Sequence, residues 1–152
     1  MRLRLFAILL ALTSIAFAAD PAVDRAALLK LHAQDRDGHL KGDVDLITGQ
    51  FAATFEEVVG GRVREMSLNA ARQQIGDYLK SVKYTAWDDA AEPIIKVSPD
   101  GQMAWMLVQT KVEVAPINQP DAKRSFLNSA IQTYEKGPNG WQMTAIAATV
   151  GK

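Results

Sequence analysis

Residues 28–40 read LLKLHAQDRDGHL, and their leucines and ionisable side chains recur at the spacing of a helix. A helix turns by about 100° per residue, so positions three, four and seven residues apart share one side. The leucines fall in or beside one arc, which is the side that should pack against the rest of the protein. Lys30, Gln34 and Asp37 lie opposite, where solvent is expected. Four ionisable residues share the arc of the leucines: His32, Asp35, Arg36 and His39.

A polar stripe on the buried side of a helix needs an explanation, because an unpaired buried charge costs several kcal/mol. In one interpretation, Asp35 and Arg36 pair with residues of a facing sheet, and the histidines are hydrogen-bonded core residues. In the other, the stripe lines a cavity between helix and sheet, where water or a ligand satisfies the polar groups. Ligand sites commonly combine apolar walls with a few convergent polar groups. The residues alone do not distinguish these two interpretations.

The same residue types are able to hold a metal ion or to move a proton. His32, Asp35 and His39 are competent metal ligands, but Arg36 in the same arc would repel a cation, so we expect no metal and no cofactor. His39 or Asp35 could transfer a proton next to a carbonyl group, with Arg36 or a tyrosine stabilising the oxyanion. The sequence contains no nucleophile elbow and no glycine-rich phosphate loop. Whether the protein is an enzyme stays open at this level.

The first half of the chain is predicted to be largely helical. Asp20 caps a helix that begins at Pro21, where a proline loses no needed hydrogen bond, and that ends at about Leu40. Further along, apolar spacing, caps and a Gly-Gly turn define the next elements. These are a short helix over 44–47 capped by Asp43, a hairpin over 51–66 that turns at Gly60-Gly61, and a helix that starts after Ser67.

The second half predicts extended strands over residues 83–88, 94–98, 102–114, 126–136 and 141–150. The first two are expected to form one long, bent strand that is interrupted at Glu92-Pro93. A helical first half followed by a strand-rich second half predicts an α+β domain with an antiparallel sheet.

The strand over residues 102–114 is apolar on more than one face. Ala104, Met106 and Val108 share one parity, whereas the other parity carries Trp105 and Leu107 before it becomes polar. An antiparallel sheet with one hydrated face should alternate cleanly. Something is therefore expected to cover the second face, either a partner subunit, which makes a homodimer, or the chain's own loops.

Residues 1–18 predict a signal peptide. Two arginines precede an apolar run, and Ala16-Phe17-Ala18 is the small-x-small pattern of a cleavage site. The run is shorter than the roughly 20 residues that cross a membrane comfortably. We therefore expect cleavage after Ala18, a mature domain of residues 19–152, a periplasmic or secreted location, and no stable membrane anchor.

Composition excludes several classes of function. The chain has 152 residues, with 17 Lys and Arg against 17 Asp and Glu, and no cysteine. Proteins that bind nucleic acid by releasing counterions carry excess positive charge, so we expect no nucleic-acid partner. Without cysteine, thiol catalysis and Cys-ligated zinc are excluded. The length suits one domain that is large enough to fold without disulfides.

Short segments between Leu28 and Val150 follow one another in a characteristic order: Leu31-His32, Arg36-x-x-His39-Leu40, Asp43-Val44-Asp45-Leu46, Phe51 to Gly61, Tyr78, Trp87-Asp88-Asp89, Pro93-Ile94-Ile95, Ser98-x-Asp100-Gly101-x-Met103-Ala104-Trp105, Tyr134-x-Lys136 and Gly140-Trp141. In this order and spacing they resemble the nuclear transport factor 2-like superfamily, in particular its SnoaL-like exported bacterial members. The resemblance implies a curved antiparallel sheet wrapped around N-terminal helices, a cone shape with an internal pocket, and commonly a dimer.

The resemblance favours the cavity interpretation and implies a small, largely apolar ligand. It assigns no reaction, because this fold hosts isomerases, cyclases, dehydratases and non-catalytic binders alike. The alternatives are a proton transfer next to a carbonyl group and a non-catalytic module that binds a protein through its outer sheet face. We expect seven residues to line the pocket: His32, Asp35, Arg36, His39, Tyr78, Trp87 and Trp105.

Overall fold

The computed structural model describes residues 20–151. The predicted signal peptide and its cleavage site lie outside the described residues. Three helices and seven strands follow one another along the chain: α1 (Pro21–Lys41), α2 (Val44–Thr48), β1 (Phe51–Val59), β2 (Arg62–Ser67), α3 (Leu68–Leu79), β3 (Val82–Asp89), β4 (Ile94–Val97), β5 (Met103–Pro116), β6 (Arg124–Gly137) and β7 (Gly140–Gly151).

The caps predicted from the sequence begin the helices. The Asp20 side chain accepts a hydrogen bond from the Ala22 backbone N–H at 2.9 Å, which satisfies a free donor in the first turn of α1. At the other end, Gly42 adopts a left-handed conformation (φ 67°) and closes the helix after Lys41, close to the predicted end. Asp43 and Ser67 cap α2 and α3 in the same way as Asp20.

The strands form one sheet of seven, in the order β2-β1-β7-β6-β5-β3, with β4 also paired to β5. Every pair is antiparallel except β1 with β7, which is parallel. Asp89 of β3 lies opposite Thr110 of β5, and Ile94 of β4 lies opposite Leu107 of the same strand. The prediction of one long strand interrupted near Pro93 is therefore confirmed.

The sheet is curved and unclosed. Register shifts interrupt the ladders between β1 and β7, β3 and β5, and β6 and β7. Such bulges bend a strand and increase its local twist. The mixed α+β architecture, with the helices packed on the inner face of a curved sheet, agrees with the fold class predicted from the sequence.

The core lies between the helices and the inner face of the sheet. Leu28 of α1 packs in one cluster with Met106 of β5 and Tyr134 of β6, and all three side chains have no exposed surface. A second cluster surrounds Ile47 of α2 and Val114 of β5. Burial of this apolar surface holds α1 against the sheet.

A buried polar contact fixes the first turn of α1. Trp141 Nε1 donates to Asp24 Oδ1 at 3.1 Å, and the Lys136 ammonium donates to the same oxygen at 2.5 Å. The Asp24 side chain is only 2% exposed, so this pairing offsets part of the cost of burying its charge. In the part of the chain that the structure describes, no helix is long and apolar enough to cross a membrane.

Candidate ligand-binding cavity

A cavity of about 190 Å³ lies between α1, α3 and the inner face of the sheet. Its walls are mostly apolar side chains, and a smaller number of polar groups faces inward. We call the side formed by α1 the helix wall, which presents His32, Asp35 and His39, and the side formed by β5 and β6 the sheet wall. The apolar part is provided by Ile47, Phe51, Phe55, Met66, Ala71, Ile75, Trp87, Val108, Ala130, Met143 and Ile146.

Asp35 and His39 form a pair at successive turns of the helix wall. The His39 Nδ1 lies 2.9 Å from the Asp35 backbone oxygen and 3.5 Å from its carboxylate Oδ2. Each side chain is 15% exposed. Because the Asp35 carboxyl is buried, its pKa is raised above the ordinary value, and the electrostatic attraction of His39 and His32 offsets only part of this increase.

Contacts with two aromatic side chains orient the His39 ring. Its ring stacks on Trp87 of β3 with a centroid distance of 3.6 Å and an interplanar angle of 10°. Tyr84, three residues earlier on the same strand, meets the His39 ring edge-on, with ring centroids 5.2 Å apart. Burial raises the pKa of the Tyr84 hydroxyl, so this residue stays a neutral phenol. The orientation of His39 is therefore determined by α1 and β3 together.

The end of β3 is tied to α1 by two further contacts. His32 Nε2 lies 2.7 Å from Asp89 Oδ1. The Arg36 guanidinium donates to the Trp87 carbonyl oxygen at 3.1 Å and to Asp88 Oδ1 at 2.9 Å. His32 and Arg36 therefore have partners on the sheet, as in the first interpretation of the polar stripe. Asp35 and His39 face the cavity, as in the second.

The sheet wall supplies hydroxyl and amide groups. Thr110 of β5 and Asn128 of β6 lie opposite each other in the ladder, and both line the cavity. Deeper in the same wall, the buried Tyr134 hydroxyl lies 2.9 Å from Gln132 Oε1 and 3.0 Å from Gln50 Oε1. Burial, followed by the nearby Asp35 charge, raises the pKa of Tyr134, which keeps its hydroxyl protonated.

The cavity reaches the surface beside α3. Gln74 of α3 is the exposed member among the lining residues, and Glu57 of β1 lies next to it. Arg64 of β2 donates to Glu57 Oε2 at 2.8 Å and to Gln74 Oε1 at 3.4 Å. The guanidinium therefore neutralises the acidic side chain at the mouth.

Of the seven predicted lining residues, His32, Asp35, His39 and Trp87 are brought together around the cavity, and three lie elsewhere. Arg36 points outward to β3, with half of its side chain exposed. Tyr78 of α3 is 43% exposed and contacts Tyr84 edge-on, with ring centroids 6.4 Å apart, without lining the cavity. Trp105 is 37% exposed because its parity in β5 faces away from the helices. The placement of these three side chains corrects the prediction.

Sequence reasoning missed the polar residues of the sheet wall. Thr110 has the same parity as Met106 and Val108, and a hydroxyl in that apolar series is a detectable signal. Gln132 interrupts the inner face of β6 between Ala130 and Tyr134 in the same way. Gln50 lies in the connection between α2 and β1, so no helical or strand periodicity applies to it. Its side chain is 3% exposed as a result of tertiary packing, which local sequence does not show.

The arrangement can bind a small molecule and can hold a proton at Asp35. A buried carboxyl with a raised pKa suits proton transfer near neutral pH. Arg36, however, lies outside the cavity and is not placed to stabilise an oxyanion inside it. Within residues 20–151, no three potential metal-ligating side chains cluster together.

No family model and no curated protein matches the sequence. Solved structures match the fold. An NTF2-like protein with a cystatin-like fold from Novosphingobium aromaticivorans aligns with a TM-score of 0.63 at 15% identity, over 84% of this chain and 81% of its own.

Two further structures give the same picture. A protein from Streptomyces avermitilis, described as a candidate dehydratase of the NTF2-like family, has a TM-score of 0.66 at 12% identity, over 84% of this chain and 97% of its own. A candidate Ca/calmodulin-dependent kinase II association domain from Exiguobacterium sibiricum has a TM-score of 0.68 at 10% identity, over 88% and 97%. The chain therefore has the nuclear transport factor 2-like fold, as the resemblance in its sequence implied.

Proposed function

We propose that this domain binds a small, largely apolar molecule in the cavity between α1 and the sheet. The observation that carries the proposal is a cavity of about 190 Å³ in which apolar walls surround polar groups on two opposing elements. In another protein, an engineered apolar cavity of about 150 Å³ binds benzene, so a ligand of one or two rings is the size expected here. The description of the Streptomyces protein as a candidate dehydratase is compatible with a small-molecule site in this fold.

Binding explains why the polar stripe of α1 is retained. His32 and Arg36 have hydrogen-bond partners on β3, whereas the Asp35 carboxyl has the His39 and His32 rings nearby but accepts no hydrogen bond from the described residues. Burying such a group without a partner costs free energy. A ligand in the cavity would supply the missing partner.

The proposal is tested with indole as a probe, measured by isothermal titration and by thermal unfolding. Ala130 lines the sheet wall and is 6% exposed, so Ala130→Leu fills the cavity with extra methyl groups. We expect indole to raise the Tm of the wild type and to have no effect on Ala130→Leu, since a ligand that binds only the folded state stabilises it. Ala53→Leu, an enlargement at an exposed position of β1, is the matched control and should respond like the wild type. Equal responses of all three proteins would place indole outside the cavity and contradict the proposal.

A second function, assembly with another copy of this chain, is supported by the outer face of the sheet. Residues that lie opposite each other in a ladder project to the same face. An unbroken apolar row therefore crosses six strands, and five of its members are 38–76% exposed. In order along the row, the residues are Val63, Val58, Ala147, Ile131, Leu107 and Ile94.

The charges beside this row favour a second copy as the occupant. The adjacent row begins with Lys96, which lies beside Trp105, and ends with Glu56 and Glu65. A copy rotated by 180° about an axis parallel to the strands would bring each lysine opposite the glutamates of its partner. We therefore propose a homodimer that buries the apolar row at its centre. A periplasmic or secreted location stays part of the proposal, on the basis of residues 1–18.

A further inference from the structure

With its imidazoles neutral and Asp35 ionised, the helix wall presents hydrogen-bond acceptors to the cavity. A backbone carbonyl oxygen can only accept, so the His39 Nδ1–H must donate to the Asp35 carbonyl oxygen at 2.9 Å. In the neutral imidazole the proton is then on Nδ1, and Nε2 is left with its lone pair. His39 therefore offers an acceptor as its remaining ring atom.

His32 reaches the same state by another contact. Its Nε2 lies 2.7 Å from a carboxylate oxygen of Asp89, which accepts the ring N–H. The remaining Nδ1 of the neutral ring is an acceptor. When both rings are neutral, the two histidines that line the cavity therefore each use their only N–H on the protein.

The Asp35 carboxyl completes the helix wall. Whether it is ionised or protonated, it presents at least one oxygen that accepts a hydrogen bond. Burial and the two neighbouring imidazoles are the influences on this carboxyl, and no hydrogen bond to it is formed by the described residues. A ligand that lacks a donor would leave these acceptors unsatisfied, which is costly in a buried site.

The charges around the cavity act against anionic ligands. Within residues 20–151, neither lysine nor arginine occurs among the side chains that line it. The acidic lining residues are Asp35 and Glu57, and the Glu57 charge is already paired with Arg64. A ligand carboxylate would therefore enter a site whose lining provides no permanently charged lysine or arginine to balance it.

We propose that the cavity selects small ring compounds that carry a hydroxyl or amino donor, and that it rejects carboxylates and analogues without a donor. This inference rests on the proposed ligand-binding function. The donor would be received by the helix wall, while the hydroxyl and amide groups of Thr110 and Asn128 remain for a second polar substituent. Selectivity then comes from acceptors that only a donor can satisfy.

Three ligands of similar size test the inference on the wild-type protein: phenol, anisole, which replaces the hydroxyl by a methoxy group, and benzoate. We expect phenol to displace indole at least about fivefold more effectively than anisole, since leaving a buried group unsatisfied costs at least about that factor. Benzoate should not displace indole at the same concentrations. Displacement by anisole as effective as by phenol, or stronger displacement by benzoate, would overturn the inference and leave the proposed cavity intact. If indole itself does not bind, both proposals are wrong.

A matched pair of variants locates the effect. At a pH where the wild-type Asp35 is ionised, Asp35→Asn keeps the shape of the side chain but adds an N–H donor to the helix wall, so the preference for phenol over anisole should shrink severalfold. Asp37→Asn changes the solvent side of the same helix, where Asp37 pairs with Lys41 at 2.7 Å, and should keep the wild-type preference. An unchanged preference in Asp35→Asn would contradict the acceptor wall.

Discussion

Asp35 and Asp37 show, at the scale of single residues, how position on a helix controls the pKa of a carboxyl group. Asp35 faces the cavity, and burial raises its pKa. Asp37, two residues later, faces solvent, and its hydrogen bond with Lys41 lowers its pKa. The two carboxyls have the same chemistry, so their environments alone make the difference. This difference predicts opposite dependences of stability on pH.

For Asp35, the folded protein holds its proton to a higher pH than the unfolded chain, in which an aspartate titrates near pH 3.9. The stability that the neutral carboxyl contributes is fully present below the pKa of the unfolded chain. It is lost as the pH rises from that pKa towards the higher pKa of the folded protein. Asp35→Asn should therefore gain stability relative to the wild type as the pH rises above about 4, where the unfolded aspartate ionises first. Denaturant unfolding of both proteins across this range measures the difference between their free energies of unfolding. Asp37→Asn is the control and should lose relative stability as the pH rises, because the wild-type carboxylate and Lys41 then pair. A pH-independent gap for Asp35→Asn would contradict the assignment.

At the scale of elements, the packing of α1 on α2 depends on a helical glycine. A Cβ at Gly38 would lie 2.6 Å from Ile47 Cγ1 and 2.9 Å from the Ile47 backbone nitrogen. Backbone atoms cannot move away as a side-chain tip can, so the two helices would have to separate. Ile47, which makes this contact, and His39, which follows Gly38, both line the cavity. The glycine therefore helps to set the spacing of the helix wall.

Gly38→Ala should lower the free energy of unfolding by about 1–3 kcal/mol, the usual cost of overpacking. The higher helix propensity of alanine offsets about 0.5–1 kcal/mol of this. Gly76→Ala in α3 is the matched control, because a Cβ there would meet only Val44 Cγ2 at 3.9 Å. We expect that variant to be slightly more stable than the wild type. Denaturant unfolding distinguishes the two, and a stabilised Gly38→Ala would show that α1 and α2 are not in close contact.

At the scale of the whole molecule, the sheet separates two surfaces with different roles. Its inner face forms the core and the sheet wall, whereas its outer face presents the apolar row centred on Leu107 and Ile131. Among residues 20–151, no loop shields Met103, Trp105 or Leu107, which are 37–52% exposed. The described loops therefore do not cover this face, and we propose that a second copy of the chain does.

The proposed dimer predicts that Leu107→Glu is monomeric in sedimentation velocity, because two buried charges would face an apolar row. Lys96→Glu should weaken assembly by like-charge repulsion, and adding Glu65→Lys should restore part of it. Lys30→Glu, on the exposed side of α1, is the control and should assemble like the wild type. A wild-type protein that stays monomeric at its highest soluble concentration would rule out the homodimer.

Much of the fold was predictable because its signals are local. The caps Asp20, Asp43 and Ser67 and the alternation in β5 fix where elements begin and which face is apolar. The location of Trp105 was not predicted correctly, because parity assigns a residue to a face without stating which face is inside. Arg36 was misplaced for a related reason, since a long side chain at the border of an arc can reach outward to Asp88.

The sequence by itself determined the helix–strand order, the polar stripe on α1 and the doubly apolar β5, because each depends on neighbours within a few residues. Only the tertiary structure decided that Asp35 and His39 share a cavity with Thr110 and Asn128, which lie more than seventy residues away along the chain. Sheet register and curvature bring these residues close together in space. Both arise from pairing and packing over the whole chain, which local spacing does not encode.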